Sequence, residues 1–363
     1  MWRTHRPPLT RGLSAKLTGG ENKNAVFATV SLPPALRATS LIRGRLGWCV
    51  SSANCNLNTT SMREKTIYAL GFFDGVHLGH QALLDACRTL AEARGCKAGV
   101  VTFGSHPDAL VQGQTPSLLT TPAQREWILK EHFHMDRVLT LPFDQQIRSM
   151  PWEDFLRMLV RDHDAAGFVC GDDFRFGYKG QGNDKLLIEF CRRENLPCCT
   201  VDEQMVDGRR VSSTYIRKQI ETGDMATAIK FLGHPYYLTG TVVKGQQLGR
   251  TLGIPTANLV LPEGLAIPKF GVYACLCLID GVAYPAVTNI GTRPTVSGSG
   301  ITVEPWILNF SGDLYGKEIT LEFYRFLRPE MKFPDLDALK AEIHRNAQET
   351  LGYFEHERPG CSW

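Results

Sequence analysis

The chain has 363 residues, enough for two or three domains, and its 43% apolar and 21% charged residues match an ordinary globular protein. The formal charge of +3 hides an asymmetry: residues 1–61 carry eight Lys/Arg and one acid, Glu21, which leaves −4 for the remainder and speaks against a basic nucleic-acid-binding body. No apolar run approaches the length of a membrane span. The eleven cysteines, odd in number and without a Cys-x-x-Cys pair, fit reduced thiols in a cytoplasmic protein better than a zinc site or a disulfide framework.

Residues 1–62 are rich in Arg, Ser, Thr and Asn and show no sustained period. They read as an extension without a packed core: a disordered tail, a targeting segment, or a stretch upstream of a true start at Met62. From Lys65 to about Val201, strands alternate with helices. Strands are expected at Ile67–Leu70, Ala98–Phe103, Val138–Leu141 and Gly167–Cys170. Helices are expected after His80 up to Gly95, from Thr121-Pro122, over Ser149–Val160 and over Asp184–Glu194. This alternation implies a parallel sheet with helices on both faces, whose ligands bind at the carboxyl ends of the strands.

Three stretches fall at such ends. The first, Gly71-Phe72-Phe73-Asp74-Gly75-Val76-His77-Leu78-Gly79-His80, is a strand-to-helix turn. Its glycines let a ligand approach the backbone, and the helix start favours an anion. His77 and His80 share one helical face and can donate hydrogen bonds to phosphate oxygens. The second is Thr102-Phe103-Gly104-Ser105-His106-Pro107, and the third is Gly171-Asp172-Asp173-Phe174-Arg175-Phe176-Gly177. After a hairpin turn at Asp207-Gly208 comes Ser212-Ser213-Thr214-Tyr215-Ile216-Arg217. Its hydroxyls and arginine form either a plain helix cap or a triphosphate cradle.

A short helix, Met225–Leu232, lies between Gly223 and Gly233 and reads as a linker over residues 223–235. Beyond it, short turn-separated strands suit a small antiparallel barrel: Tyr237–Val243, Val272–Ile279, Val282–Asn289, Thr302–Asn309 and Ile319–Phe326, with a hairpin at Asp280-Gly281. Asp335–Leu351 closes the chain as an amphipathic helix. At the barrel's start, Gly245, Gly249 and Gly253 recur at intervals of four ahead of Pro255-Thr256-Ala257-Asn258. Such a loop can wrap phosphates, and Thr256 and Asn258, alternate residues entering a strand, offer hard oxygen donors.

The first stretch resembles the nucleotidyltransferase signature of the bifunctional riboflavin kinase/FMN adenylyltransferases, the prokaryotic FAD synthetases. The second and third stretches and the Ser-Ser-Thr-x-x-Arg run are similar to family segments, and Gly-x-x-x-Gly-x-x-x-Gly-x-Pro-Thr-Ala-Asn is similar to the riboflavin kinase signature. The resemblance spans Lys65 to about Tyr353. It implies an α/β plus β architecture: a Rossmann-like nucleotidyltransferase domain, a parallel sheet with flanking helices over residues 63–222, then a riboflavin kinase barrel with a C-terminal helix over residues 236–356.

It further implies Glu304, in Val303-Glu304-Pro305-Trp306, as the base for the riboflavin 5′-hydroxyl. Mg²⁺ would sit on Thr256 and Asn258, and a triphosphate cradle would include Ser213, Thr214 and Arg217. His106, Asp173, Arg328 and Glu330 would lie near flavin. Trp306 stands where the family often has a histidine, and Asn346 where an aspartate is usual, in a helix taken as structural. ATP, riboflavin, FMN and FAD are the expected substrates or products, with no nucleic acid, no membrane and at most a weak homo-oligomer as partner. Two rivals remain open. One is a kinase whose first domain is inactive or differently specific. The other is a non-catalytic flavin sensor, which would not need Glu304.

Overall fold

The computed structural model describes residues 46–49, 64–105, 116–245, 253–295 and 298–356. The first unit holds six paired strands: β1 (Leu46–Cys49), β2 (Thr66–Leu70), β3 (Lys97–Phe103), β4 (Arg137–Leu141), β5 (Ala165–Gly171) and β6 (Cys198–Val201). They lie in the order β1-β6-β5-β2-β3-β4. All but β1 run parallel. β2 is buried along its whole length, as a central parallel strand covered on both faces must be. The chain leaves β2 toward β3 on one side and returns to β5 on the other. The turn after β2 and the loop after β5 therefore flank the point where strand order reverses.

Helix α1 (Leu78–Arg94) begins on His77 and ends at Gly95, whose φ of 61° supplies the left-handed stop. Helix α2 (Pro122–Trp127) starts with a complete capping box between Thr121 and Gln124. The helix expected over Ser149–Val160 starts at Trp152 (α4, Trp152–Asp162); a separate short helix, α3 (Gln145–Ser149), ends just before it, and Pro151 lacks the N–H that would join the two. α5 (Asp184–Glu194) lies where it was expected. β6 was not anticipated, and neither was β1, a paired strand inside the segment read as an extension without a packed core. The rest of residues 1–62 lies outside the described residues, apart from the paired strand itself.

The second unit is a closed barrel of β9 (Tyr236–Val243), β10 (Asn258–Val260), β11 (Gly271–Ile279), β12 (Val282–Thr295), β13 (Gly298–Ile307) and β14 (Glu318–Arg328). The small antiparallel hairpin that precedes it, β7 (Met205–Val206) and β8 (Arg209–Arg210), turns on Asp207 and Gly208, both at positive φ. Helices α6 (Ser213–Thr222) and α7 (Met225–Leu232) join the units, and α8 (Leu336–His356) packs on β12 and β11.

Two apolar clusters cover the faces of the parallel sheet. A third fills the barrel, and it also takes in Val206, Val211, Ile216, Ile220, Met225 and Phe231. The apolar core thus runs across the expected boundary at residue 222, and α6 and α7 share their core with the barrel. Among the described residues no helix is long and apolar enough to cross a membrane. The eight cysteines whose side chains are described are free thiols.

Candidate active sites

The turn after β2 is strained and braced from several sides. Phe73, Gly75 and Val76 take φ of 59°, 77° and 41°, so three residues of four lie in the left-handed region. Gly75 is required there twice over, by its φ and because a Cβ would meet Leu119 Cδ1 at 2.6 Å. Asp74, 2% exposed, anchors the turn. Its Oδ1 accepts from the amides of Leu119 (2.8 Å) and Thr120 (3.0 Å), and its Oδ2 accepts from Arg217 Nη2 at 3.2 Å. Burial raises the Asp74 pKa, while the amide bonds and the arginine oppose that rise. Thr120 Oγ1 accepts from the Gly75 amide, and Ser213 Oγ donates to the Asp74 carbonyl at 2.9 Å.

The two histidines come together as expected. Their rings stack with centroids 3.6 Å apart and 12° between planes. His77 Nδ1 accepts from the His80 amide at 3.3 Å as the helix cap, which places the ring proton on Nε2. Burial pushes the His77 pKa down to about 3 and lowers that of His80 well below the ordinary value; the neighbouring His77 and Arg125 add to the latter. Both rings are therefore neutral at physiological pH and act as N–H donors. His80 Nδ1 is buried without a hydrogen-bond partner among the described residues.

Ser212 is the plain cap of α6, accepting from the Tyr215 amide, whereas Ser213 and Arg217 reach back to the turn after β2. Thr214 is exposed beside them. Asp173, in the loop after β5, pairs with Arg210 of β8. His106 and Gly249 lie outside the described residues. Four contributors were not singled out from sequence. Thr120 brackets Asp74, and Arg125 lies buried beneath Phe72. Gln81 Nε2 donates to the carbonyls of Val76 and Leu232. His234 places its ring nitrogens 3.0 and 2.7 Å from the carbonyl oxygens of Gly75 and Pro235, and burial lowers its pKa to about 4. Buried His or Arg in a helix or linker has no sequence period of its own, so only the fold reveals these.

On the barrel, strand register aligns the second set. Leu259 pairs with Val303, and Asn289 with Glu304. Asn258 consequently stands opposite Glu304, in a row Asn258–Glu304–Asn289 across three strands. Leu259, Val303 and Ile290 point into the core, so this row faces outward. Thr256, two residues before Asn258, is exposed on the same side, level with Trp306. Gly245 is pressed against Asn258: a Cβ there would lie 2.3 Å from its Nδ2. Gly253 takes φ 74°. The Glu330 carboxylate packs on Gly291, two residues along β12 from Asn289, and so joins the same face.

Arg328 is held elsewhere, by Asn346 Oδ1 (3.0 Å to Nε) and Glu342 (3.1 Å) of α8. Asn346, 1% exposed, thus fixes a side chain expected near flavin, a role beyond supporting the helix. A cavity of about 330 Å³ opens next to this face, lined in part by Pro255, Trp306, Phe310 and His344, with His344 edge-on to Trp306 at 5.5 Å.

The geometry can now be set against known proteins. A family model described as FAD synthetase matches residues 59–215, and one described as riboflavin kinase matches residues 232–354. The bifunctional riboflavin kinase/FMN adenylyltransferase of Bacillus subtilis is 32% identical over 82% of this chain and 95% of its own length. The chain belongs to this family. The bifunctional enzyme of Pseudomonas fluorescens is 38% identical over 77% of the chain and 89% of its own length, and that of Escherichia coli 34% over 82% and 95%. A crystal structure described as a macrolide-efflux protein from Streptococcus pneumoniae superposes with a TM-score of 0.73 at 28% identity, covering 80% of this chain and 95% of that one. His77, His80, Asp74 and Ser213 fall within the first matched segment, Arg217 lies two residues beyond its end, and Asn258, Asn289 and Glu304 fall within the second.

Proposed function

We propose that the chain phosphorylates riboflavin with ATP to give FMN and then adenylates FMN with a second ATP to give FAD. The observation that carries this reading is that one chain assembles both constellations: Glu304 beside Asn258 on the barrel, and the stacked His77/His80 pair beside Ser213 and Arg217 at the sheet. In the barrel, Glu304 takes the proton from the riboflavin 5′-hydroxyl. The oxygen then attacks the γ-phosphorus of ATP, and the bond to the β,γ-bridging oxygen breaks to release ADP. The glycine-bearing loop around Gly245 and Gly253 lies against the phosphates, and Glu330 borders the flavin, with Arg328 behind it tied to α8.

A magnesium ion fits the donors present. Thr256 and Asn258 are neutral oxygen ligands, Gly245 leaves the space that the Asn258 side chain occupies, and among the described residues no cluster of three acidic, His or Cys groups competes for a metal. Few protein donors plus phosphate oxygens are what Mg²⁺ takes, and it would neutralise phosphate charge there.

At the sheet, a phosphate oxygen of FMN attacks the α-phosphorus of ATP. The bond to the bridging oxygen breaks and pyrophosphate leaves. The neutral imidazoles of His77 and His80 donate to the oxygens on which charge builds, and Ser213, Thr214 and Arg217 hold the leaving phosphates. Asp74 and Gly75 shape the turn, and Gly71 and Phe72 lead into it. Asp173 and the segment bearing His106 border the flavin side. Free thiols fit a reducing compartment such as the cytoplasm.

Chromatography of products after incubation with riboflavin, ATP and Mg²⁺ tests the whole reading. FAD accumulating beyond FMN is expected. FMN alone would confine the activity to the barrel, and neither product from folded protein would leave a flavin-binding protein.

A further inference from the structure

Arg125 is the largest fully buried side chain among the described residues, and its two hydrogen-bond partners there are backbone carbonyls rather than a carboxylate. Its Nη1 donates to the Phe72 carbonyl at 2.9 Å, its Nη2 donates to the Phe103 carbonyl at 2.7 Å, and its guanidinium lies 4.4 Å from the centre of the Phe72 ring. Its Nε has no acceptor among the described residues. Burial lowers its pKa to about 10, with Asp74 opposing, so it stays charged at neutral pH. A buried cation with an unsatisfied donor is costly, and apolar packing alone would be served better by an aliphatic residue.

What it holds is specific. Phe72 and Phe103 stand at the start of the first and second ligand-facing stretches, Phe72 two residues past the end of β2 and Phe103 at the last residue of the neighbouring strand β3. The Phe72 carbonyl also accepts from Thr102 Oγ1 at 2.7 Å. Across a trans peptide the carbonyl and the next amide point in opposite directions. With the Phe72 oxygen drawn in by two donors, the Phe73 N–H is turned away from Arg125. The strained run Phe73–Val76, which delivers His77, starts from that anchored peptide.

We propose that Arg125 is a positioning residue for adenylyl transfer: by fastening the Phe72 and Phe103 carbonyls to one rigid guanidinium, it sets the place of the His77/His80 turn relative to the end of β3. A planar fork does this where an ammonium cannot, because both bonds leave one plane at a fixed angle. The inference rests on the assignment of adenylyl transfer to the His77/His80 turn.

The test uses the full-length enzyme, whose riboflavin kinase rate reports folding of the same molecule. Arg125→Met is expected to lower kcat for FAD formation from supplied FMN by about 30- to 100-fold, with KM values for FMN and ATP within about threefold. Kinase turnover stays at the wild-type rate. Arg125→Lys keeps the charge and one bond and is expected to recover about tenfold of that loss. Unchanged kcat in Arg125→Met would overturn the inference, as would loss of both activities together in both variants, which marks a purely structural cation. His80→Ala runs alongside. If it leaves FAD formation intact, the site assignment itself fails; if it abolishes FAD formation while the Arg125 variants match wild type, only the inference about Arg125 fails.

Discussion

At the turn after β2, Asp74 holds two amides, a hydroxyl and a guanidinium inside the protein, whereas on the barrel Asn258, Glu304 and Asn289 lie side by side on an outer face and owe their alignment to strand pairing. The first arrangement makes chemistry and architecture inseparable: the residues that aim the histidines also hold a backbone with three positive φ values in four residues. The second separates them, since register is fixed by buried neighbours such as Leu259, Val303 and Ile290. The difference teaches that equivalent substitutions at the two sites should fail differently, one by loss of rate alone and the other by loss of rate and stability together.

The sharpest way to break this contrast is Glu304→Gln. Riboflavin phosphorylation is expected to fall by about 10³-fold with no change in melting temperature, because the amide keeps the shape and loses the proton acceptor. A melting temperature that drops with the rate would erase the distinction. His80→Ala should lower FAD formation from FMN by about 10²-fold and spare the kinase, read by separate assays of the two steps. Asp74→Asn should cost roughly 3 kcal/mol of stability, since Arg217 loses its buried partner, and calorimetry should show the loss while kinase turnover persists in the folded fraction.

Acid sharpens the comparison further. His77 and His234 are held neutral in the fold, their pKa values moved by burial from 6.5 to about 3 and about 4. The unfolded chain binds those protons first, so this contribution is complete above about 6.5 and declines as pH falls toward the folded values. Each ring contributes up to about 1.4 kcal/mol per pH unit, measurable as a falling urea midpoint between pH 6 and 4. The smallest effect is expected at Gly245→Ala. The added Cβ displaces Asn258, so the KM for ATP rises about threefold at a cost of about 1 kcal/mol in stability.

Much of this was legible in the sequence, for physical reasons that also mark where legibility ended. Strands such as Thr66–Leu70 and helices such as Asp184–Glu194 declare themselves through apolar runs and caps. The His77/His80 turn and the Thr256/Asn258 pair declare themselves because glycine spacing and polar residues at strand ends are local features. β1 and β6 were missed because a four-residue strand carries too little pattern, whether at the sheet edge, as β1 is, or next to it, as β6 is. Arg125 and His234 were missed because their meaning lies in long-range bonds to carbonyls that no side-chain pattern records. Asp74 stands within the stretch read as ligand-facing, and both of its carboxylate oxygens are engaged inside the fold, a bracing role that only long-range bonds reveal. Asn346 was set aside with its helix, although it fixes Arg328.

Ser213 and Arg217 stand on a helix whose apolar side lies in the barrel's core, while their polar ends grip the other half of the molecule. In return, Gln81 of the first half holds the Leu232 carbonyl, His234 lies against Gly75, and Tyr237 of the barrel's first strand packs in the core of the parallel sheet. The covalent joint between the two enzymes is therefore also shared masonry. Anyone wishing to divide the polypeptide into separate catalysts would find that a cut between residues 222 and 236 leaves neither half whole.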